Sequence, residues 1–85
     1  MVAKGVEKMK KKKIVIDSKK IGSKLNDIRS GKNIEVSKVS EALSIDIDRL
    51  IDIENGIRTP TLKELIAFAN YYCVKIDLIV FYYLV

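Results

Sequence analysis

Few side chains in this 85-residue chain can do chemistry, and most of them stand together in its second half. Asp46, Asp48, Asp52 and Glu54 form an acidic stretch, with Arg49 among them, Arg58 just after and Arg29 further upstream. Clustered carboxylates can hold a divalent cation or do acid–base work. The calcium spacing fails here: a loop opened by Asp46-x-Asp48 needs Gly where Ile51 stands and a bidentate Glu where Ile57 stands. The chain has no His, so the commonest metal ligand and the commonest general base are both missing. Its one thiol, Cys73, cannot form an internal disulfide. Zinc fingers, Ser-His and Cys-His hydrolases and secreted disulfide scaffolds are therefore excluded. No cofactor or metal is called for, and no enzyme constellation remains. The chemistry left is that of charge pairing and of attraction to charged partners.

With 48% apolar and 32% charged residues, the chain reads as one small soluble domain. Its longest apolar run, residues 78–85, is far short of the roughly 20 residues of a membrane span. The basic start is followed only by Ile14-Val15-Ile16, too little for a secretory signal. The formal charge of +5 is unevenly placed. Residues 1–20 carry eight lysines against Glu7 and Asp17, a balance of +6, which leaves −1 on residues 21–85. The expected layout is a flexible basic arm over 1–17, a folded domain over 18–80 and an apolar tail over 81–85. Such an arm is either a handle for nucleic-acid phosphates or a solubilising tail.

Stepping along the body, Ile21, Leu25 and Ile28 recur at i, i+4 and i+7, one face of a helix with Ser18 as N-cap and Gly31 as stop. Ile14-Val15-Ile16 before it suits a short extended segment. A second helix over 36–43 turns Val39, Ala42 and Leu43 inward. Asp46 caps a third, in which Leu50 and Ile53 face the core and Asn55-Gly56 ends the turn. After Pro60, Thr61-Leu62-Lys63-Glu64 reads as a capping box opening a fourth helix with Leu62, Leu65, Ile66, Phe68 and Ala69, running to about Tyr72. Residues 74–85 suit a strand by composition, or a short helix capped by Asp77. Cys73, at the end of the fourth helix, is expected to be a small buried hydrophobe.

Two short helices joined by a tight turn, then Glu54-Asn55-Gly56-Ile57-Arg58-Thr59-Pro60, form a pattern that resembles the lambda-repressor-like (Cro/phage-repressor, XRE-type) helix-turn-helix family. The resemblance spans about residues 18–80 and is best over 39–69. It implies an all-α fold: a compact bundle of four to five short helices whose second and third form the helix-turn-helix, with room for a short strand at either end. The activity implied is that of a non-enzymatic regulator of transcription in a bacterial or phage-encoded cytoplasmic setting, with double-stranded DNA as partner. The resemblance also implies a partly buried, structural ion pair between Arg29 and Glu54. Arg suits that task because its planar fork meets a carboxylate bidentately.

The chain departs from the family at the positions expected to matter most. Ser44 stands where the turn usually has Gly. The base-facing positions of the third helix are Ile47, Asp48, Ile51 and Asp52, where Gln, Ser, Arg or Lys are usual. Val36 stands at the phosphate-contacting position that opens the second helix. With Arg49 the only cation among four acids, the third helix carries −3. Carboxylates repel phosphates and pair only with the cytosine amino group, while Ile can touch a thymine methyl. Phosphate contact is expected instead from Lys32, Lys38, Arg49, Arg58, the arm, and Asn55; Lys63 and Lys75 read as solvated charges. Ile47 and Ile51 are open to three readings: base contact, a protein interface, or packing against the C-terminal tail. The hydrophobes of 76–85 suit either a homodimer interface or a tail folded on its own subunit. The function expected is operator binding as a dimer, and the alternative is a protein-interaction module, antitoxin-like or anti-regulator, on the same scaffold.

Overall fold

Three of the four described helices open on a side-chain cap readable in the sequence. The computed structural model describes residues 13–84; the basic arm expected over 1–17 falls largely outside that span, as does Val85. Helix α1 (Ser18–Gly31) begins at Asp17, whose carboxylate accepts the Lys20 N–H at 3.0 Å. Ser18, expected as the cap, is the first helical residue, because the longer reach of Asp17 satisfies the free N–H groups first. Helix α2 (Val36–Leu43) is followed by α3 (Ile47–Glu54), capped by Asp46, and by α4 (Leu62–Tyr72), which opens on the Thr61/Glu64 capping box. Glu64 N–H donates to the Thr61 hydroxyl at 3.1 Å, and Thr61 N–H to the Glu64 carboxylate at 2.8 Å.

All four helices end in the same way. At or just past the C-cap one residue turns left-handed, its N–H and that of its successor bonding back to carbonyls three and five residues earlier. The left-handed residues are Asn33, Ser44, Gly56 and Cys73, with φ of 55°, 54°, 76° and 56°. Only one of the four is glycine. At Gly56 a side chain is also sterically barred, since a Cβ would lie 2.8 Å from the Cα of Lys19. The stop of α1 is thus Asn33 rather than Gly31, which remains helical. Cys73 is exposed, not buried, because the left-handed turn swings it off the core face of α4.

The core gathers the predicted apolar faces: Ile21 and Leu25 of α1, Val39 of α2, Leu50 and Ile53 of α3, Leu65, Phe68 and Tyr72 of α4. Ile45, in the turn between α2 and α3, joins them, whereas Ala42 lies exposed. Leu62 and Ile66 also point to solvent. Helix α1 crosses α3 at Gly22, where a Cβ would collide with the Ile53 carbonyl and come within 2.7 Å of the Glu54 carbonyl oxygen. The rings of Phe68 and Tyr72 stack with centroids 6.3 Å apart, and the buried Tyr72 hydroxyl has no hydrogen-bond partner among the described residues.

Both readings of the tail hold in part. A 3-10 turn (Ile76–Leu78), with Lys75 at its N-cap and Asp77 inside it and not capping it, leads to fully buried Ile79, and the chain then extends into β2 (Tyr82–Leu84), antiparallel to β1 (Ile14–Ile16). Val15 lies opposite Tyr83, and Asp17 N–H donates to the Phe81 carbonyl at 2.8 Å where the ribbon meets α1. The tail therefore folds on its own subunit, yet Ile14, Tyr82, Tyr83 and Leu84 remain exposed. No helix among the described residues is long and apolar enough to cross a membrane.

Candidate nucleic-acid interface

The turn between α2 and α3 is built from three residues. Ser44 takes the left-handed conformation that glycine would adopt more cheaply, Ile45 plugs the core, and Asp46 accepts the N–H groups of Asp48 and Arg49 at 3.1 and 3.4 Å. The Ser40 hydroxyl donates to the Ile45 carbonyl at 2.5 Å, bracing α2 against the turn. With Leu50 and Ile53 buried, α3 is fixed in rotation and its opposite face looks outward.

Three ion pairs set that orientation. Arg29 meets Glu54 bidentately, Nε to Oε2 at 2.8 Å and Nη2 to Oε1 at 3.0 Å. Its remaining Nη1 donates to the Ile34 carbonyl at 2.8 Å, fastening the loop that precedes α2. Glu54 also accepts the Asn26 amide at 2.9 Å, so this buried carboxylate takes three hydrogen bonds. Arg49 grips Glu64 of α4 through two bonds of 2.7 Å. The Arg49 guanidinium holds the Glu64 carboxyl down to about 2, with the Thr61 N–H assisting. Arg58 reaches back to Asp52, Nε to Oδ2 at 3.0 Å, while staying largely exposed.

These pairs sort the predicted site residues. Ile47, Asp48 and Ile51 lie exposed on the outer face of α3, the two isoleucines 38% and 40% accessible. Asp52 is half-buried and engaged by Arg58 instead of standing free at the groove face. Arg49 is drawn toward α4, where it pairs with Glu64. Val36, at the start of α2, is half-buried against the core. Lys32, Lys38, Asn55 and Arg58 lie exposed around the helix-turn-helix.

Asn26 and Lys19 belong to no motif of the sequence, and Glu64 only to a local one. Asn26 stands three residues before Arg29 on α1, a spacing that puts both on one face and signals a shared acceptor. In the sequence Glu64 is half of a capping box, and its two further bonds, from Arg49, join two helices. Lys19 is brought beside the 55–58 loop by the close approach of its Cα to Gly56, and the Ser18 and Thr59 hydroxyls hydrogen-bond across the same seam. Among the described residues no group of three His, Cys, Asp or Glu side chains is arranged to hold a metal ion.

Comparison with solved structures finds the same fold. The chain is similar to the DNA-binding domain of BldD, with TM-score 0.65 and 24% identity over 75% of this chain and 93% of that one. A second structure, of the S. venezulae BldD DNA-binding domain, gives TM-score 0.65 at 24% identity, covering 75% and 96%. The restriction-modification controller protein C.AhdI from Aeromonas hydrophila superposes with TM-score 0.70 at 19% identity, covering 74% and 96%. No family model matches the chain, and no curated protein matches it. At this level of identity the likeness establishes the helix-turn-helix fold.

Proposed function

We propose that the protein is a DNA-binding transcriptional regulator that seats α3 in the major groove of an operator and acts as a dimer. The observation that carries this reading is the open outer face of α3, with Ile47 and Ile51 about two-fifths exposed on a helix otherwise anchored by three ion pairs. A rigid helix presenting uncommitted side chains at its N-terminal half is what groove readout requires. The solved proteins of this fold described as a DNA-binding domain and a controller protein support it. Lys32, Lys38, Asn55 and Arg58 would meet phosphates, assisted by the lysine arm, with the folded domain running over 18–80 between that arm and the tail at 81–85. The exposed ribbon side chains Ile14, Tyr82, Tyr83 and Leu84 supply an apolar surface for a two-fold contact, which would set two α3 helices one DNA turn apart. The setting that goes with this role is the cytoplasm of a bacterium.

A second reading draws on the pairing of Arg49 with Glu64, which leaves α3 without a free cation. Exposed isoleucines beside Asp48 also suit a protein partner, making the chain an antitoxin-like or anti-regulator module. Titration against random and genomic duplexes at several salt concentrations, with and without residues 1–13, separates the two. Sequence-specific binding that survives loss of the arm is expected. Binding that is weak, steeply salt-dependent and lost with the arm would overturn the operator reading.

A further inference from the structure

Resting on the operator reading, we infer that α3 recognises pyrimidine edges: thymine methyls against Ile47 and Ile51, and a cytosine amino group against Asp48, with no guanine contact from this helix. The inference begins with what the ion pairs remove. The guanidinium of Arg49 is spent on both oxygens of Glu64, and Asp52 is held by Arg58. The Asp46 carboxylate is folded back onto the N–H groups of Asp48 and Arg49. Ile47, Asp48 and Ile51 are left, all exposed. Residues 47 and 51 are four apart and 48 and 51 three apart, so they form one contiguous triangle on the helix surface.

The side chains of that triangle contain no hydrogen-bond donor. Guanine shows only acceptors in the major groove, so the face has nothing to offer it. Adenine shows an acceptor beside its amino group, and that acceptor would face the Asp48 carboxylate unfavourably. Cytosine shows an amino donor alone, which a carboxylate accepts without penalty, and thymine shows a methyl that gains by leaving water against Ile. Four residues of helix rise by about 6 Å, roughly two base steps, so Ile47 and Ile51 address different pyrimidines. Asn55 lies at the other end of α3, toward the backbone, since it is the N-terminal residues of such a helix that meet base edges.

The test uses the full chain and begins by selecting bound duplexes from a random library. In the enriched sequence, each thymine is replaced singly by uracil, which deletes only the methyl, and each guanine by 7-deazaguanine, which deletes only N7. Uracil at one or two positions is expected to weaken binding about three- to fivefold each, and Ile51→Ala should abolish the sensitivity at one of them. Asp48→Asn should shift the preference at its position from cytosine to adenine, because an amide pairs bidentately with adenine. The uracil measurement uses the unaltered protein, so misfolding of a variant cannot imitate the result. An enriched sequence indifferent to uracil but sensitive to 7-deazaguanine overturns pyrimidine reading while leaving operator binding intact. Failure to enrich any sequence overturns both.

Discussion

Arg49 and Glu64 face each other across the gap between α3 and α4 with both hydrogen bonds at 2.7 Å. Glu64 simultaneously accepts the Thr61 N–H at 2.8 Å, so one carboxylate both starts α4 and holds the candidate reading helix against it. A residue that looks like a local cap thereby controls which way α3 presents its outer face.

The pairing makes stability acid-sensitive in a defined window. Glu64 ionises at about 2 when folded, against an ordinary 4.5. A depressed carboxyl contributes stability that is fully present above the unfolded value and lost as pH falls from about 4.5 toward 2. Urea unfolding of the wild type and of Glu64→Gln should differ by ~1–2 kcal/mol at neutral pH, the pair being partly exposed. The difference should narrow toward zero near pH 2.

Arg29→Met leaves the Glu54 carboxylate buried with only the Asn26 amide for a partner. The expected loss is about 3–5 kcal/mol, a large share of what a domain this small possesses. Combining it with Glu54→Leu should recover part of the loss, because the stranded charge is gone. Denaturant midpoints of the two single variants and the double variant measure the coupling, and strict additivity would show that the two residues do not act as a pair.

Gly22→Ala inserts a methyl into the crossing of α1 and α3, against the Ile53 and Glu54 carbonyls. Ala favours helix by about 1 kcal/mol over Gly, so propensity alone predicts stabilisation. The contact predicts the opposite, a net loss of roughly 1–3 kcal/mol from overpacking. Thermal unfolding gives the sign directly.

Ser44 and Cys73 occupy left-handed C-terminal turns with φ of 54° and 56°. Replacing either by Gly should stabilise the fold by about 0.5–1 kcal/mol, the relief of backbone strain exceeding the added freedom of the unfolded chain. Gly31→Ala, by contrast, should also stabilise, because Gly31 is helical and has open space where a Cβ would go. Differential scanning calorimetry should show a raised Tm for all three variants, although two of them add a glycine and one removes one.

Elements whose cause lies within one helical turn were legible in the residues. Asp46, the Thr61/Glu64 box, Asn55-Gly56 and the apolar faces of α1 and α3 all act over three or four positions, and chain geometry alone decides their outcome. The pairing of Arg29 with Glu54 lies further apart in the chain, and it came into view only through a resemblance to a known pattern. Where partners come from different elements, the sequence carried no comparable signal. Whether Arg49 faces a groove or Glu64 and whether Val36 meets water or core depend on how helices cross, while the hold of Arg58 on Asp52 depends on the turn that ends α3. Cys73 went to solvent because a backbone turn, not its hydrophobicity, sets its direction. Periodicity and capping thus determined the helix-turn-helix, since they are local energies. Only packing decided which charges remain on its outer face, since a guanidinium goes to whichever carboxylate the fold brings within reach.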